Sequence, residues 1–269
     1  MLGKLLKYEI KATARLFLPL YLTLMVFAVI NRFFVAMPNI GDGSMSIKSF
    51  AMVISMIIYI TLIIGMLLLT LIVMIQRFYK NLLGDEGYLM FTLPVQSWKH
   101  ILSKLAISML WTAISGVIAI CSVLFISSKN FSISELYNML SMSYSQFIQY
   151  FGASAYLINF QVVVLGLLAL ASSILTIYAA IALGHLFNKH KLLASFGMYI
   201  VITTISQILM TIASAIFFNQ SIFTPNSNFI PSASLVTGIL LLFILYYGAF
   251  TAGYFALTNY ILKRKLNLE

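Results

Sequence analysis

The sequence predicts an all-α protein that crosses a membrane with six helices. The chain has 269 residues, of which 62% are hydrophobic and 8% are charged, whereas soluble domains carry about 25% charged residues. Its apolar residues form runs of about 20 residues or more, the length that a bilayer requires of a helix. Six such runs occur, at residues 16–37, 50–75, 101–127, 156–183, 192–218 and 235–261. We therefore expect a single transmembrane domain over residues 1–269, without room for a sizeable soluble domain.

The Lys and Arg residues predict the orientation of these spans. If the N-terminus is cytoplasmic, only Arg32, Lys48 and Lys129 lie at external or outer-end positions, and the other 13 of the 16 basic residues lie inside. Cytoplasmic segments of membrane proteins carry such an excess of Lys and Arg. We therefore expect both termini and the second and fourth connections to be cytoplasmic. The net charge of +10 is then an orientation signal, and no nucleic-acid partner is expected.

The N-terminal segment predicts an amphipathic helix that lies in the inner membrane interface. Its basic side chains fall within a narrow arc at helical spacing, and they are Lys4, Lys7, Lys11 and Arg15. The far side is apolar and carries Leu2, Leu5, Leu6, Ile10 and Phe17. A helix with one basic and one apolar face binds along a lipid surface. A merely solvated start of the chain is the alternative.

The third connection predicts a short helix at the outer surface. Ser132 and Glu135 have the spacing of a capping box, which marks a helix start. Apolar residues then recur at roughly helical intervals, at Leu136, Met139, Leu140, Phe147, Ile148 and Phe151. We expect this helix to rest on the other spans.

The sequence lacks the motifs of several enzyme and carrier classes. It contains no GxxxxGK[ST] and no HExxH, and its single Cys121 allows neither an intrachain disulfide nor a Cys-based metal site. His100, beside Lys99 and Lys104, is expected at the interface. Apart from Arg32 near the outer end of the first span, the spans hold almost no ionisable side chains, which ion-coupled carriers need at mid-membrane. We therefore predict no catalytic residues, no metal site and no cofactor in this chain.

The second connection holds a concentration of unusual residues. The chain has only six acidic residues, and two of them, Asp85 and Glu86, are adjacent here. Tyr88, Leu89 and Phe91 follow, where a water-facing loop should be polar. Exposed apolar residues that are rimmed by charge favour docking against another protein. The alternative is that the two acids only cap a helix, whose dipole favours them, and balance the basic residues before them.

The stretch RFYKNLLGDEGYLMFTLPV, residues 77–95, resembles the first cytoplasmic loop of permease subunits of ABC-2 type transporters, in particular the short bacterial ones. The basic start, the six spans and the cytoplasmic ends are similar to that family as well. Its permeases work in pairs, as homodimers or heterodimers, and lack an ATPase domain. A separate P-loop ATPase subunit binds ATP and Mg²⁺.

The resemblance implies a cytoplasmic coupling helix between spans two and three that sits in a groove of the ATPase. The contact residues would be Asp85, Glu86, Tyr88, Leu89 and Phe91. It also implies a location in the bacterial plasma membrane. Larger ABC-2 permeases have a substantial re-entrant element between their last two spans, whereas this chain has the short, weakly apolar NQSIFTPNSNFIPSAS there. The sequence therefore leaves the outer gate undefined.

The fifth span carries a polar stripe, made of Thr203, Gln207, Thr211 and Ser214. Steps of four, four and three residues place these side chains on one helix face. Because the second and fifth spans of the family are thought to line the path, the resemblance implies that this stripe does so here. Ordinary hydrogen bonding between helices is the alternative.

Taken together, these features predict the membrane-spanning permease of an ATP-driven exporter. Its expected substrate is an amphiphile, such as an antimicrobial peptide, and the chain itself is not expected to be an enzyme. A non-transporting membrane sensor or assembly subunit on the same fold is the alternative function. An intramembrane enzyme is disfavoured because catalytic groups are missing at mid-membrane.

Overall fold

The computed structural model describes residues 2–36, 47–83, 96–127, 133–187, 189–217 and 232–264, and within these residues it is all-helical. Seven α-helices occur in this part of the chain: α1 (Leu2–Ala36), α2 (Ile47–Phe78), α3 (Ser97–Ser127), α4 (Ile133–Phe151), α5 (Ser154–Gly184), α6 (Lys191–Phe217) and α7 (Ala233–Arg264). A π-helical turn at Tyr79–Leu83 follows α2 directly.

Six of these helices are long and apolar enough to cross a membrane, namely α1, α2, α3, α5, α6 and α7. They coincide with the six predicted spans, which are thereby confirmed as helices. Several helices extend past their apolar runs: α1 has 35 residues and is about 50 Å long, whereas the hydrocarbon core of a bilayer is about 30 Å thick. The chain is therefore a multi-pass, all-α membrane protein.

The basic N-terminal segment and the first span form one continuous helix. α1 runs from Leu2 to Ala36, with Pro19 inside it. Thr13 and Phe17 lie on one face and are buried, and the basic side chains described on the other face, Lys7 and Lys11 among them, are exposed. That the segment lies in the inner membrane interface stays a prediction.

The chain divides into two compact units. The first contains Met1–Met74 and Ala106–Gln146. Its core is the cluster of buried side chains that α1, α2 and α3 turn towards one another, including Phe17, Met66 and Trp111. The Trp111 ring stacks on Phe17 with centroids 4.7 Å apart, and this pair holds α3 against α1.

The second unit contains Ile75–Leu105 and Phe147–Glu269. α5 packs against both α6 and α7 in this unit, and its second half is the most buried part of any span. Small residues such as Ala179 and Ala182 let the neighbouring backbones approach α5. The Tyr246 hydroxyl of α7 donates to the Ser206 carbonyl oxygen of α6 at 2.6 Å.

The helix predicted in the third connection is present as α4, and with 19 residues it is longer than expected. Its last turn is half-buried at Phe147, Ile148 and Phe151. Every side chain described between Ser134 and Gln146 is exposed. The expectation that this helix rests on the other spans is therefore wrong for its first three turns.

Candidate functional site

The residues predicted to contact an ATPase lie outside the described part of the chain. Asp85, Glu86, Tyr88, Leu89 and Phe91 all fall within residues 84–95. The structure describes the two ends of this connection, which are the π-helical turn after α2 and the start of α3. These ends determine where the connection is attached.

The first end is packed against α5. Phe78 and Leu82, one helical turn apart, are fully buried. The Phe78 ring stacks on the Tyr178 ring of α5, with centroids 4.0 Å apart and planes 9° from parallel. The Tyr79 ring lies 5.6 Å from the His185 ring just beyond α5. Local π-helical segments are frequent at functional sites. Here the last residue of α2 contacts α5, and the first residue of the π-helical turn contacts the residue that follows α5.

The second end starts α3 with hydrogen bonds that are local to Gln96–Lys99. Gln96 precedes α3; its backbone carbonyl accepts from the Lys99 N–H at 2.9 Å, and its side-chain carbonyl accepts from the Trp98 Nε1–H at 2.6 Å. Ile101 is fully buried one turn later. The first end of the connection is therefore packed against α5, whereas the second end is exposed at Gln96 and Trp98 and becomes buried at His100 and Ile101.

Two basic side chains at the start of α3 are buried, which sequence reasoning missed. His100 is 2% exposed and Lys104 is 4% exposed, although a basic cluster beside a connection was expected at the interface. Each of the two side chains has at least one polar, ring or electrostatic interaction. Their spacing of four residues puts them on one face, and that is the only signal in the sequence that they could share an environment.

The turn from α5 to α6 brings two backbones into close approach. Gly184, at the end of α5, lies against Ser195 of α6 so closely that any side chain would overlap the Ser195 backbone. This agrees with the small-residue spacing of Ala180 and Gly184 in the sequence, which favours close helix packing. His190 ends the turn with a positive φ of 56°.

The polar stripe of the fifth predicted span lies on one flank of α6. Thr203 and Ser214 are half-buried, whereas Gln207 and Thr211 are exposed. The three hydroxyl groups donate to carbonyl oxygens of their own helix, for example Thr211 to Gln207 at 2.9 Å. The structure therefore keeps the four residues together, and the hydroxyl bonds stay inside α6.

A second polar column, in the first unit, is made of bonds between helices. The Ser115 hydroxyl of α3 is hydrogen-bonded to Tyr21 of α1 at 2.8 Å and to Thr70 of α2 at 3.1 Å. Ser122, two turns further along α3, is bonded to Tyr59 of α2 at 2.8 Å. The column therefore joins α3 to both neighbouring helices.

This column was not among the polar features predicted from the sequence. Ser108, Ser115 and Ser122 recur every seven residues in α3 and are all buried. A seven-residue period keeps one helix face towards a neighbouring helix. The spacing of these three serines was therefore the signal in the sequence that could have predicted the column. Among the described residues no group of three or more His, Cys, Asp or Glu is placed to hold a metal ion.

The fold and these sites define a class of protein: a multi-pass helical membrane protein with two compact units, a packed attachment for one connection and polar residues within its spans. No family model, no curated protein and no solved structure matches the chain.

Proposed function

We propose that the chain is the membrane-spanning permease subunit of an ATP-driven exporter of the ABC-2 type, in a bacterial plasma membrane. The observation that supports this most is the attachment of residues 84–95. One end follows the buried Phe78 and Leu82, and the other leads within a few residues to the buried Ile101. A docking element attached in this way would transmit displacement, because the chain on either side of it reaches buried positions within a few residues.

Docking would use the residues of that connection. Tyr88, Leu89 and Phe91 supply apolar anchors for a groove of a P-loop ATPase subunit, and Asp85 and Glu86 supply charge at the rim. The partner would bind ATP and Mg²⁺ and carry out hydrolysis. This chain would contribute no catalytic group to the reaction.

Movement of the docked connection would enter the membrane through two helices. The stacked rings of Phe78 and Tyr178 would carry it from the end of α2 to α5. Ile101 and its buried neighbours would carry it into α3. Because α2 and α3 contribute residues to both compact units, a displacement of their cytoplasmic ends would reach both.

The translocation path would lie along the polar flank of α6, opposite a second permease that is either identical or homologous. The hydroxyl groups of Thr203, Thr211 and Ser214 donate hydrogen bonds to carbonyl oxygens within α6, so this surface is only weakly polar. The exposed Gln207 amide offers two donors and an acceptor. Such a surface suits an amphiphilic substrate, such as an antimicrobial peptide, better than an ion.

A reconstituted complex tests this function. The chain would be co-expressed with a P-loop ATPase, purified and placed in proteoliposomes. Outward transport of an amphiphilic peptide, with ATP hydrolysis that the peptide stimulates, is expected. A stable complex that never transports, whatever amphiphile is offered, would favour the alternative of a membrane sensor or assembly subunit.

The orientation gives a first prediction. Reporter proteins fused after Glu269 and within residues 184–191 are expected to be cytoplasmic, and reporters within residues 128–155 are expected to be external. The reason is the asymmetry of Lys and Arg between the two sides. Alkaline phosphatase and a fluorescent protein, which are active on opposite sides, measure this. An external C-terminus would contradict the arrangement of six spans.

A second prediction concerns the α6 flank. Gln207→Leu removes the exposed amide and keeps a similar volume, so it is expected to lower transport or the peptide-stimulated ATPase activity while assembly is unchanged. Ile208→Leu, at the next exposed position, is the matched control on a neighbouring part of the surface. If Gln207→Leu assembles and transports as the unaltered protein does, the stripe is not a path.

A further inference from the structure

The helix α4 carries a continuous apolar face. At about 100° per residue, six of its large apolar side chains fall within an arc of about 100°, whereas Met139, Met142 and Tyr150 lie outside it. The six side chains within the arc are Tyr137, Leu140, Tyr144, Phe147, Ile148 and Phe151. The opposite side is mainly polar and carries Asn138, Ser145 and Gln149, with Met142 among them. The helix is therefore amphipathic along its length.

Part of this face is uncovered. Tyr137, Leu140 and Tyr144 expose 70%, 62% and 49% of their surface, whereas Phe147 and Ile148 in the last turns are half-buried. A row of exposed apolar side chains on a helix outside the spans marks an interaction surface.

Both ends of α4 are tied to membrane spans. α3 ends at Ser127 and α4 begins at Ile133, so the intervening chain reaches about 20 Å at most. At the other end only Gly152 and Ala153 separate α4 from α5. Gly152 has a positive φ of 55°, and its N–H donates to the Ile148 carbonyl oxygen at 2.7 Å, which terminates the helix. α4 is thus held beside the ends of two spans.

We propose that α4 lies in the membrane–water interface and buries its apolar face among the lipid acyl chains of one leaflet. The short tethers hold it at that depth, and tyrosine is enriched at that depth in membrane proteins. The lipid-facing surface also begins directly after the turn, where Tyr156 and Phe160 of α5 are largely exposed. A lipid surface is therefore continuous with the one that the spans already require.

The charge of the polar face indicates which lipids α4 binds. Glu135 is the only charged residue in the helix, which carries no Lys or Arg. Attraction to anionic headgroups is therefore missing, and burial of apolar area drives the association. The association is independent of the anionic lipid content, and it does not rest on the proposed transport function.

Site-specific labels on the full chain test the proposal. Cys121 is first changed to Ser, and single cysteines are introduced as Leu140→Cys on the apolar face and Asn138→Cys on the polar face. Each is labelled with an environment-sensitive fluorophore, and the protein is placed in phosphatidylcholine nanodiscs. The label at position 140 is expected to emit at shorter wavelength, to be quenched several-fold more by acyl-chain nitroxides, and to be protected from aqueous iodide. The label at position 138 is expected to behave in the opposite way.

The outcomes separate lipid from other partners. Equal iodide quenching at both positions would place α4 in water and overturn the proposal. A label at position 140 protected from both quenchers would mean that protein covers the face, which overturns it as well. Tyr144→Cys repeats the measurement on the same face one turn away. Replacing a third of the lipid with phosphatidylglycerol is expected to change nothing; increased protection would overturn the apolar origin of the association.

Discussion

Replacing both Tyr88 and Phe91 by alanine is expected to release the proposed ATPase subunit, whereas the variant with both acids replaced, Asp85→Asn with Glu86→Gln, is expected to retain it. Aromatic anchors seated in a groove are worth roughly 2 kcal/mol or more each. Exposed ion pairs are worth about 0–1 kcal/mol. Loss of both rings removes about 4 kcal/mol or more and should therefore weaken binding by roughly three orders of magnitude, since 1.4 kcal/mol is tenfold.

The measurement is co-purification of the ATPase with each variant, after membrane insertion has been verified. The acid variant lacks only charge–charge attraction, which salt screens. Less ATPase should therefore co-purify with it than with the unaltered protein at low salt, where screening is weak, and an equal amount at higher salt. Leu102→Ala, an exposed position at the start of α3, serves as a control outside the connection. Full retention of the partner by the double alanine variant would remove the coupling assignment and leave the two acids as helix caps.

Trp111→Ala is expected to destabilise the first unit more than any other single change to the side chains of α3. The indole stacks on Phe17, and its Nε1–H donates to the Thr13 hydroxyl at 2.7 Å, so one side chain makes two kinds of contact with α1. Large-to-alanine changes in cores cost about 3–5 kcal/mol. We expect about 2–3 kcal/mol here, because lipid is as apolar as the helix interface and only lost packing and hydrogen bonding remain.

The chain offers a matched control for this experiment. Trp98 is its only other tryptophan and also lies in α3, but it is 39% exposed, so Trp98→Ala should change stability little. Trp111→Phe keeps a ring against Phe17 and loses the hydrogen bond, and it should fall between the wild type and Trp111→Ala. The stability of all three variants is measured by unfolding them in mixed micelles as the fraction of denaturing detergent is increased. Equal midpoints for the two alanine variants would show that the stack does not hold α1 to α3.

The predicted spans and the observed helices agree for a physical reason. The free energy of transferring a helix into lipid is close to a sum over its residues, and its backbone hydrogen bonds are satisfied within the segment. Neither quantity depends on neighbours, so the runs at residues 16–37 and 101–127 identify α1 and α3 without any tertiary information. The same argument locates α4 only as a helix, because amphipathic periodicity says which side is apolar but not what covers it.

Packing against neighbouring helices decides which polar groups are bonded between helices and which side chains are buried. Ser115 of α3 and Ser214 of α6 are both hydroxyls inside apolar runs, and the sequence does not distinguish them. In the folded chain Ser115 bonds two other helices, whereas Ser214 bonds the Thr211 carbonyl oxygen of its own helix. A hydroxyl takes whichever acceptor or donor lies opposite, and packing determines what lies opposite. The sequence by itself therefore determined six apolar spans and an unusual second connection, while only the tertiary structure decided which polar groups join helices and that His100 and Lys104 are buried.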